Sequence, residues 1–296
     1  MDTTLSEGQR ELRGLVHGQL ADVVPADPHA VWKKLAAVGL VELALPVDLG
    51  GLGLGNADLC LVHEELGARL CDSRFVRGAQ VVLDLWEPGS AAVDFLRRRT
   101  PAVDASQVVP TGAAHDDAQR PDAVIRAAAG DEGWQLVSEV DSPTVRGGSA
   151  VLDRDRVRAA AYYVGVARRA LELAAGRTAT RLLGGKPLVE RQASAHRLAR
   201  AAMTVELARF EVWQAACALD GGTDDHLART ALATAVEAAI GTAHAAVQLH
   251  GAAGTSDAAV TAVYRAAYAA IDVWGPPSAL WRAAANRHYG WEGDAR

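Results

Sequence analysis

Three stretches of the chain carry residues able to hold an anion. Arg181 stands in TRLLGGKP, a guanidinium beside a flexible glycine pair at the end of a long helical pattern. Gln192 and Arg197 follow in ERQASAHRLA. AVQLHGAAGTS then ends an alanine-rich run in a turn that carries Gln248, His250, Gly251 and Gly254. A glycine after the last periodic residue is the common stop of a helix. Glycines also let a phosphate approach the main chain, so the turn is either a plain stop or a backbone cradle.

Other chemistry finds little support. GGLGLG at Gly50–Gly55 lacks the G-x-G-x-x-G spacing and a preceding strand, so it reads as a connector between helices. HEELG at His63 lacks the second histidine of a zinc-protease motif, and the histidines show no ligand spacing elsewhere, so no metal is expected. No G-x-S-x-G elbow or Cys/His nucleophile signature stands out. Trp32, Trp213, Trp274 and Trp281 fall in or at the ends of helical stretches and read as packing residues.

The elements that must position these residues are mostly helices. Ser6 can cap a helix running to about Val24, closed by Pro25 and Pro28. HAVWKKLAAVGLVELAL places Val31, Leu35, Val38 and Leu40 on one stripe. After the glycine loop, Asn56 or Asp58 can cap ADLCLVHEELGARL, and SRFVRGAQVVLDLW runs to a stop at Glu87-Pro88-Gly89. From about Arg97 to Gly148, Pro101, Pro110, Pro121 and Pro143 interrupt the pattern, and DAVIRAAA and GWQLVSEV read as short strands. Helical periodicity then returns. Asp153 or Asp155 can cap a helix to Ala179, followed by helices over about Val189–Leu219, Asp225–Leu249 and Ala258–Val273. Long helices with short connections predict an antiparallel four-helix bundle. The expected fold is mainly α, with a helical domain over 1–96, a reduced β or loop insert over 97–150 and the bundle over 151–296.

Composition agrees. The 296 residues are half apolar but only 5% aromatic, leaning on Ala, Val and Leu, which favours helix-on-helix packing. A net charge of −6 gives no basic footprint for nucleic acid. Cys60, Cys71 and Cys217 are odd in number and scattered, as for reduced thiols of a cytosolic protein. No apolar run reaches membrane-spanning length, so a cytoplasmic protein without a membrane contact is expected.

The order of the signatures resembles the acyl-CoA dehydrogenase family. ALPVDLGGLGLGNADLCLVHEELGARL is similar to the family's N-terminal "PEEYGGLGL…EELG" segment, and TATRLLGGKPLVERQASAHRLARA to its "R-x-Q-F-G-x-P-[IL]…FQ…HxLA" helix-turn-helix. AAVQLHGAAGTS is similar to its "A-x-Q-[LI]-x-G-G-x-G" turn. The resemblance implies an FAD-dependent oxidoreductase that desaturates an acyl-CoA thioester at Cα–Cβ. It further implies a homo- or hetero-oligomer whose electrons pass to an electron-transfer flavoprotein. Arg181, Gln192 and the turn residues Gln248, His250, Gly251 and Gly254 would then contact the cofactor, the phosphates belonging to a neighbouring subunit's FAD.

The departures are as informative. Leu183 and Gly184 replace the family's Gln and aromatic, Ala252 replaces the turn's second glycine, and no "T-E-P-x-A-G-S-D" segment is present. GDEGWQLV is similar to the family's "DGW-x-L-x-G" strand. Trp274-Gly275 stands where the family's catalytic Glu-Gly falls, and an indole cannot accept an α-proton. A minority of members carry the base about ten residues before a glycine of the first bundle helix. Counting back from Gly165 reaches Asp155, either that base or a helix cap, while Asp272 lies one turn off the expected direction. Three functions stay open: an acyl-CoA dehydrogenase subunit that needs a partner chain, a flavin-free structural or regulatory partner, and a repurposed non-redox enzyme on the same fold.

Overall fold

The computed structural model describes residues 5–23, 27–40, 43–85, 101–103, 123–127, 134–137, 145–146, 149–222 and 226–289. Helix α1 (Glu7–Gln19) starts in a capping box: Gln9 N–H donates to Ser6 Oγ at 3.2 Å and Ser6 N–H to Gln9 Oε1 at 3.0 Å. Pro28 does not close this helix, as its sequence suggests, but opens α2 (Pro28–Ala37). Asp27 is the cap there, accepting from Ala30 N–H at 3.0 Å, and a first-turn proline lacks only an N–H that would have no helical partner. Val31, Leu35 and Leu40 are buried along the expected stripe. Positive φ at Gly50 and Gly53 turns the connector into α3 (Asn56–Ala68), and α4 (Arg74–Leu85) follows. The expected stop at Glu87-Pro88-Gly89 and the breaks at Pro25, Pro110, Pro121 and Pro143 lie outside the described residues.

The two strand-like stretches pair with each other. β1 (Pro101–Val103), β2 (Ala123–Ala127), β3 (Trp134–Val137) and β4 (Val145–Arg146) form a sheet in that order. β1 and β2 are parallel and the other pairs antiparallel, with Ile125 opposite Leu136. The bundle comprises α5 (Ser149–Thr180), α6 (Gln192–Asp220), α7 (His226–His250) and α8 (Ala258–Trp274), and α9 (Pro277–Tyr289) adds a helix the sequence did not announce. The expected start of α7 at Asp225 lies outside the described residues. Ala160, Ala167, Ala208, Ala215, Ala231, Ala235 and Ala239 are buried at the helix contacts, where a methyl side chain permits close approach. His226–Thr255 is long and apolar enough to cross a membrane, and 61% of its most apolar window is buried inside the protein.

Helix α3 docks on α5 through two glycines. A Cβ at Gly67 would collide with the Tyr162 carbonyl, and a Cβ at Gly165 with the Glu64 carbonyl. Charges on α3 then pair across the crossing: Arg168 donates to Glu64 at 2.9 Å and to Glu65 at 2.7 Å, and Arg209 to Glu64 at 2.9 Å. Burial opposes ionisation of Glu65, but Arg168, Arg13 and His17 outweigh it and hold the carboxyl below its ordinary range. The cap of α3 is neither Asn56 nor Asp58. Asp220, at the end of α6, accepts from Asn56 N–H at 2.7 Å and Ala57 N–H at 3.1 Å, so a distant carboxylate satisfies the free amides.

Gly165→Ala is therefore expected to cost at least the ~1–3 kcal/mol of an overpacked core, read as a lower urea midpoint. His63 supplies a second test. It is fully buried, its Nε2 is 2.6 Å from Gln80 Oε1, and burial pushes its pKa from 6.5 down to about 3. Below pH 6.5 the unfolded chain binds a proton here that the folded chain refuses until about pH 3, so stability falls as pH drops through that window. A shallower pH dependence of the urea midpoint is expected for His63→Gln; an unchanged slope would refute the assignment.

Candidate functional site

Arg181 follows the last residue of α5, its N–H still donating to Arg177 O at 2.9 Å. Positive φ at Gly184 and Gly185 folds the next residues into a hairpin of Leu182–Leu183 with Lys186–Pro187. Leu188 N–H closes it by donating to Arg181 O at 2.7 Å. The hairpin thus fixes the backbone from which the Arg181 side chain reaches the far end of α7. There Nη1 donates to the His250 carbonyl at 3.1 Å, satisfying one of the acceptors a helix C-terminus leaves free.

The two glycines of the turn have different reasons. Gly251 has φ +69°, and a Cβ would lie 2.8 Å from Arg181 Nη1, so a side chain there is strained and collides with the guanidinium. Gly254 packs the turn onto the helix it ends, since its Cβ would lie 2.5 Å from Val247 O. His250 is buried and its Nδ1 lies 2.8 Å from Ala246 O, so the residue meets Arg181 through its carbonyl, not its ring. Gln248 near the end of α7 and Gln192 at the first residue of α6 are exposed, and neither side chain has a partner among the described residues. Ala252 is exposed beside Gly251. The structure thus brings Arg181 to Gly251 and His250, with Gln248 one turn back along α7.

Asp155 sits elsewhere. Because α5 begins at Ser149, Asp155 lies in its second turn and is no helix cap. It is fully buried, and both carboxylate oxygens accept from Arg77 of α4, Nε to Oδ1 at 3.0 Å and Nη2 to Oδ2 at 2.6 Å. The Arg77 guanidinium also lies 5.3 Å from the centre of the Trp274 ring, a cation–π contact. Burial would lower the Arg77 pKa, but the Asp155 charge outweighs it and keeps the cation fixed. Buried Tyr163 adjoins this cluster, its phenol pushed up to about 12 by burial. Arg158 and Arg154 of α5 hold Asp84 at 2.6 and 3.1 Å, tying α4 to α5 beside the pair. Asp272 is exposed. Arg77 was missed in the sequence because its role depends on a contact 78 residues away, and no local motif marks it.

A helical layer crossed on a helical bundle, with a small sheet and an arginine anchored on a glycine turn, is an acyl-CoA dehydrogenase architecture. The sequence profile of the acyl-CoA dehydrogenase N-terminal domain matches residues 10–93, and that of the C-terminal domain matches residues 148–271. The chain belongs to the acyl-CoA dehydrogenase family, and so is an oxidoreductase acting on CH–CH bonds or a subunit of one. Among curated proteins, acyl-CoA dehydrogenase IpdE2 of Mycobacterium tuberculosis is 29% identical over 245 residues, covering 75% of this chain and 74% of that protein. Two solved structures share the fold. A variant of the Tcur3481-Tcur3483 steroid ACAD has a TM-score of 0.79 at 24% identity, covering 98% of this chain and 100% of its own. The ChsE4-ChsE5 complex from Mycobacterium tuberculosis has a TM-score of 0.78 at 22% identity, with 100% of both chains covered.

Removing one member of the buried pair leaves the other charge unpaired. Asp155→Asn is expected to cost ~3–5 kcal/mol, whereas Arg77→Met combined with Asp155→Leu stays within ~1–2 kcal/mol of wild type in urea unfolding. Equal losses in the single and double variants would contradict the pairing.

Proposed function

We propose that this chain is a supporting subunit of an FAD-dependent acyl-CoA dehydrogenase that desaturates an acyl-CoA thioester, working with a second family member that carries the catalytic carboxylate. One combination carries this reading: an anion cradle at Arg181–Gly251, before the start of α8, and at the other end of that helix a base position filled by Trp274 beside a locked Arg77. The cradle fits a diphosphate. Arg181 is exposed and spends one nitrogen on the His250 carbonyl, which aims its guanidinium, while the missing Cβ of Gly251 leaves that nitrogen its room. Gln248 and Gln192 are free to add hydrogen bonds. Bound there, FAD would supply the hydride acceptor for the β-carbon.

The chain's own residues then bind and orient; they do not deprotonate. In this reading Arg181, Gln192 and the turn Gln248–Gly254 reach across a subunit boundary to the cofactor phosphates of the partner. Asp155 anchors Arg77; acting as a base, it would first have to be released from that pair. An electron-transfer flavoprotein is the acceptor the family resemblance implies. The same reading keeps the chain in three parts, a helical unit over 1–96, a reduced insert over 97–150 and the bundle over 151–296. The Ala252 methyl beside the cradle favours a second reading, a flavin-free structural partner.

Co-purification with the product of an adjacent acyl-CoA dehydrogenase-like gene decides between them. The expected outcome is a yellow complex with about one FAD per pair, and FAD retention roughly tenfold weaker or worse in Arg181→Ala. A colourless complex overturns the proposal. In the yellow complex, desaturation that survives Arg77→Met combined with Asp155→Leu excludes Asp155 as the base.

A further inference from the structure

Helix α6 is apolar on two sides. Val205, Ala208, Val212 and Ala215 are buried in the bundle core. On the opposite side Met203, Leu207 and Phe210 are 72%, 55% and 40% exposed. Their three- and four-residue spacing sets them in one row along the helix, extended by exposed Ala199 and Gln214. The outer side of a bundle helix is ordinarily polar or charged. Among the described residues, α5, α7 and α8 expose no large apolar side chain, so the row is particular to α6. A contiguous apolar patch of this kind, with methionine and an aromatic at its centre and charge at its rim, marks a contact surface.

The charge along α6 says what covers the row. Residues 191–205 carry Arg191, His196, Arg197 and Arg200 and no carboxylate. Residues 206–220 carry Glu206, Glu211 and Asp220, with Arg209 as their only base, and Arg209 neutralises Glu206 at 2.6 Å. Among the described residues, no ion pair engages the Arg197 or Arg200 guanidinium, although Arg77, Arg158, Arg168 and Arg209 are all paired. A second α6 laid antiparallel on the row sets each basic half against an acidic half, whereas a parallel one sets like against like. The antiparallel arrangement is two-fold symmetric and closes on itself. Met203 and Leu207 are equidistant from Val205, and Arg200 and Glu211 nearly so. Arg200 and Glu211 lie about three helical turns apart and so share one flank of the row. The two-fold that seats Met203 on Leu207 of the other copy therefore brings Arg200 to Glu211 of that copy.

We propose that the Met203–Leu207–Phe210 face of α6 is a two-fold interface that binds a second copy of this chain, helix antiparallel on helix. The apolar row supplies the buried centre of the contact, and the segregated charges fix its direction. The inference does not rest on the flavin reading. Within the complex proposed above, it joins two copies of this chain in one assembly.

Sedimentation velocity on the purified full-length chain tests the interface. A mass of about twice the 31.0 kDa of one chain is expected, falling to the single-chain value in Leu207→Glu combined with Phe210→Glu. Both side chains are exposed, so an unaltered helical circular-dichroism spectrum confirms that the variant folds. Arg200→Glu weakens the dimer about tenfold or more, and adding Glu211→Arg restores it. A wild-type chain of single-chain mass, a dimer that survives the apolar double variant, or a charge swap that fails to restore association overturns the proposal. A chain that is single when alone, yet loses its binding to the adjacent dehydrogenase-like gene product in the double variant, assigns the row to that partner and overturns it equally. A colourless dimer would defeat the flavin reading and leave this one standing; a yellow complex holding one copy of this chain does the reverse.

Discussion

Everything in this protein hangs on the crossing of α3 and α5, where Gly67 and Gly165 let two backbones touch. Such a contact tolerates no Cβ on either helix, so it fixes both the distance and the rotation of the helical layer against the bundle. The carboxylates that follow Val62 and His63 on α3 land where Arg168 and Arg209 can meet them. Ion pairs of this kind contribute little net stability, because desolvation offsets attraction, but they penalise any other register by leaving a buried charge unpaired. Glycine contact and charge pairing therefore specify the same arrangement by different means.

That arrangement also decides the fate of Asp155. With α3 seated, α4 lies along α5, and Arg77 is brought to the carboxylate and to the Trp274 ring together. The bundle beneath is different in character, packed by alanine and valine with few polar groups. Charge is concentrated at the junction between layers, and the anion-binding features lie at the far end of the bundle. There Arg181 and Gly251 come together across 69 intervening residues because α5 and α7 run in the same direction, with α6 returning between them, and so both end at that face of the bundle.

Much of this was legible in the residues. Helix periodicity located the long helices to within a few residues, and Ser6 was legible as the cap of the first helix, while its return bond from Gln9 came from the structure. Arg181 and the glycine turn were conspicuous because a guanidinium and paired glycines are local signals. The errors fall where a local signal has two readings or where the partner is distant in the chain. Pro28 was read as a stop when it opens a helix, because proline's missing N–H suits a first turn as well as a terminus. The cap of α3 was sought next door when it comes from Asp220, and Asp155 was offered as a cap when its helix begins six residues earlier.

Sequence alone determined the mainly helical character, the short sheet, the family and the order of the anion-binding segments, since each follows from local periodicity or a contiguous motif. Only the tertiary structure decided that His250 serves through its carbonyl, that Asp155 is locked by Arg77 and that Met203, Leu207 and Phe210 stay exposed on α6. Each of these depends on helices distant in the chain meeting at one angle and one separation. Those are set by glycine contacts and buried charge pairs, which no window of neighbouring residues contains.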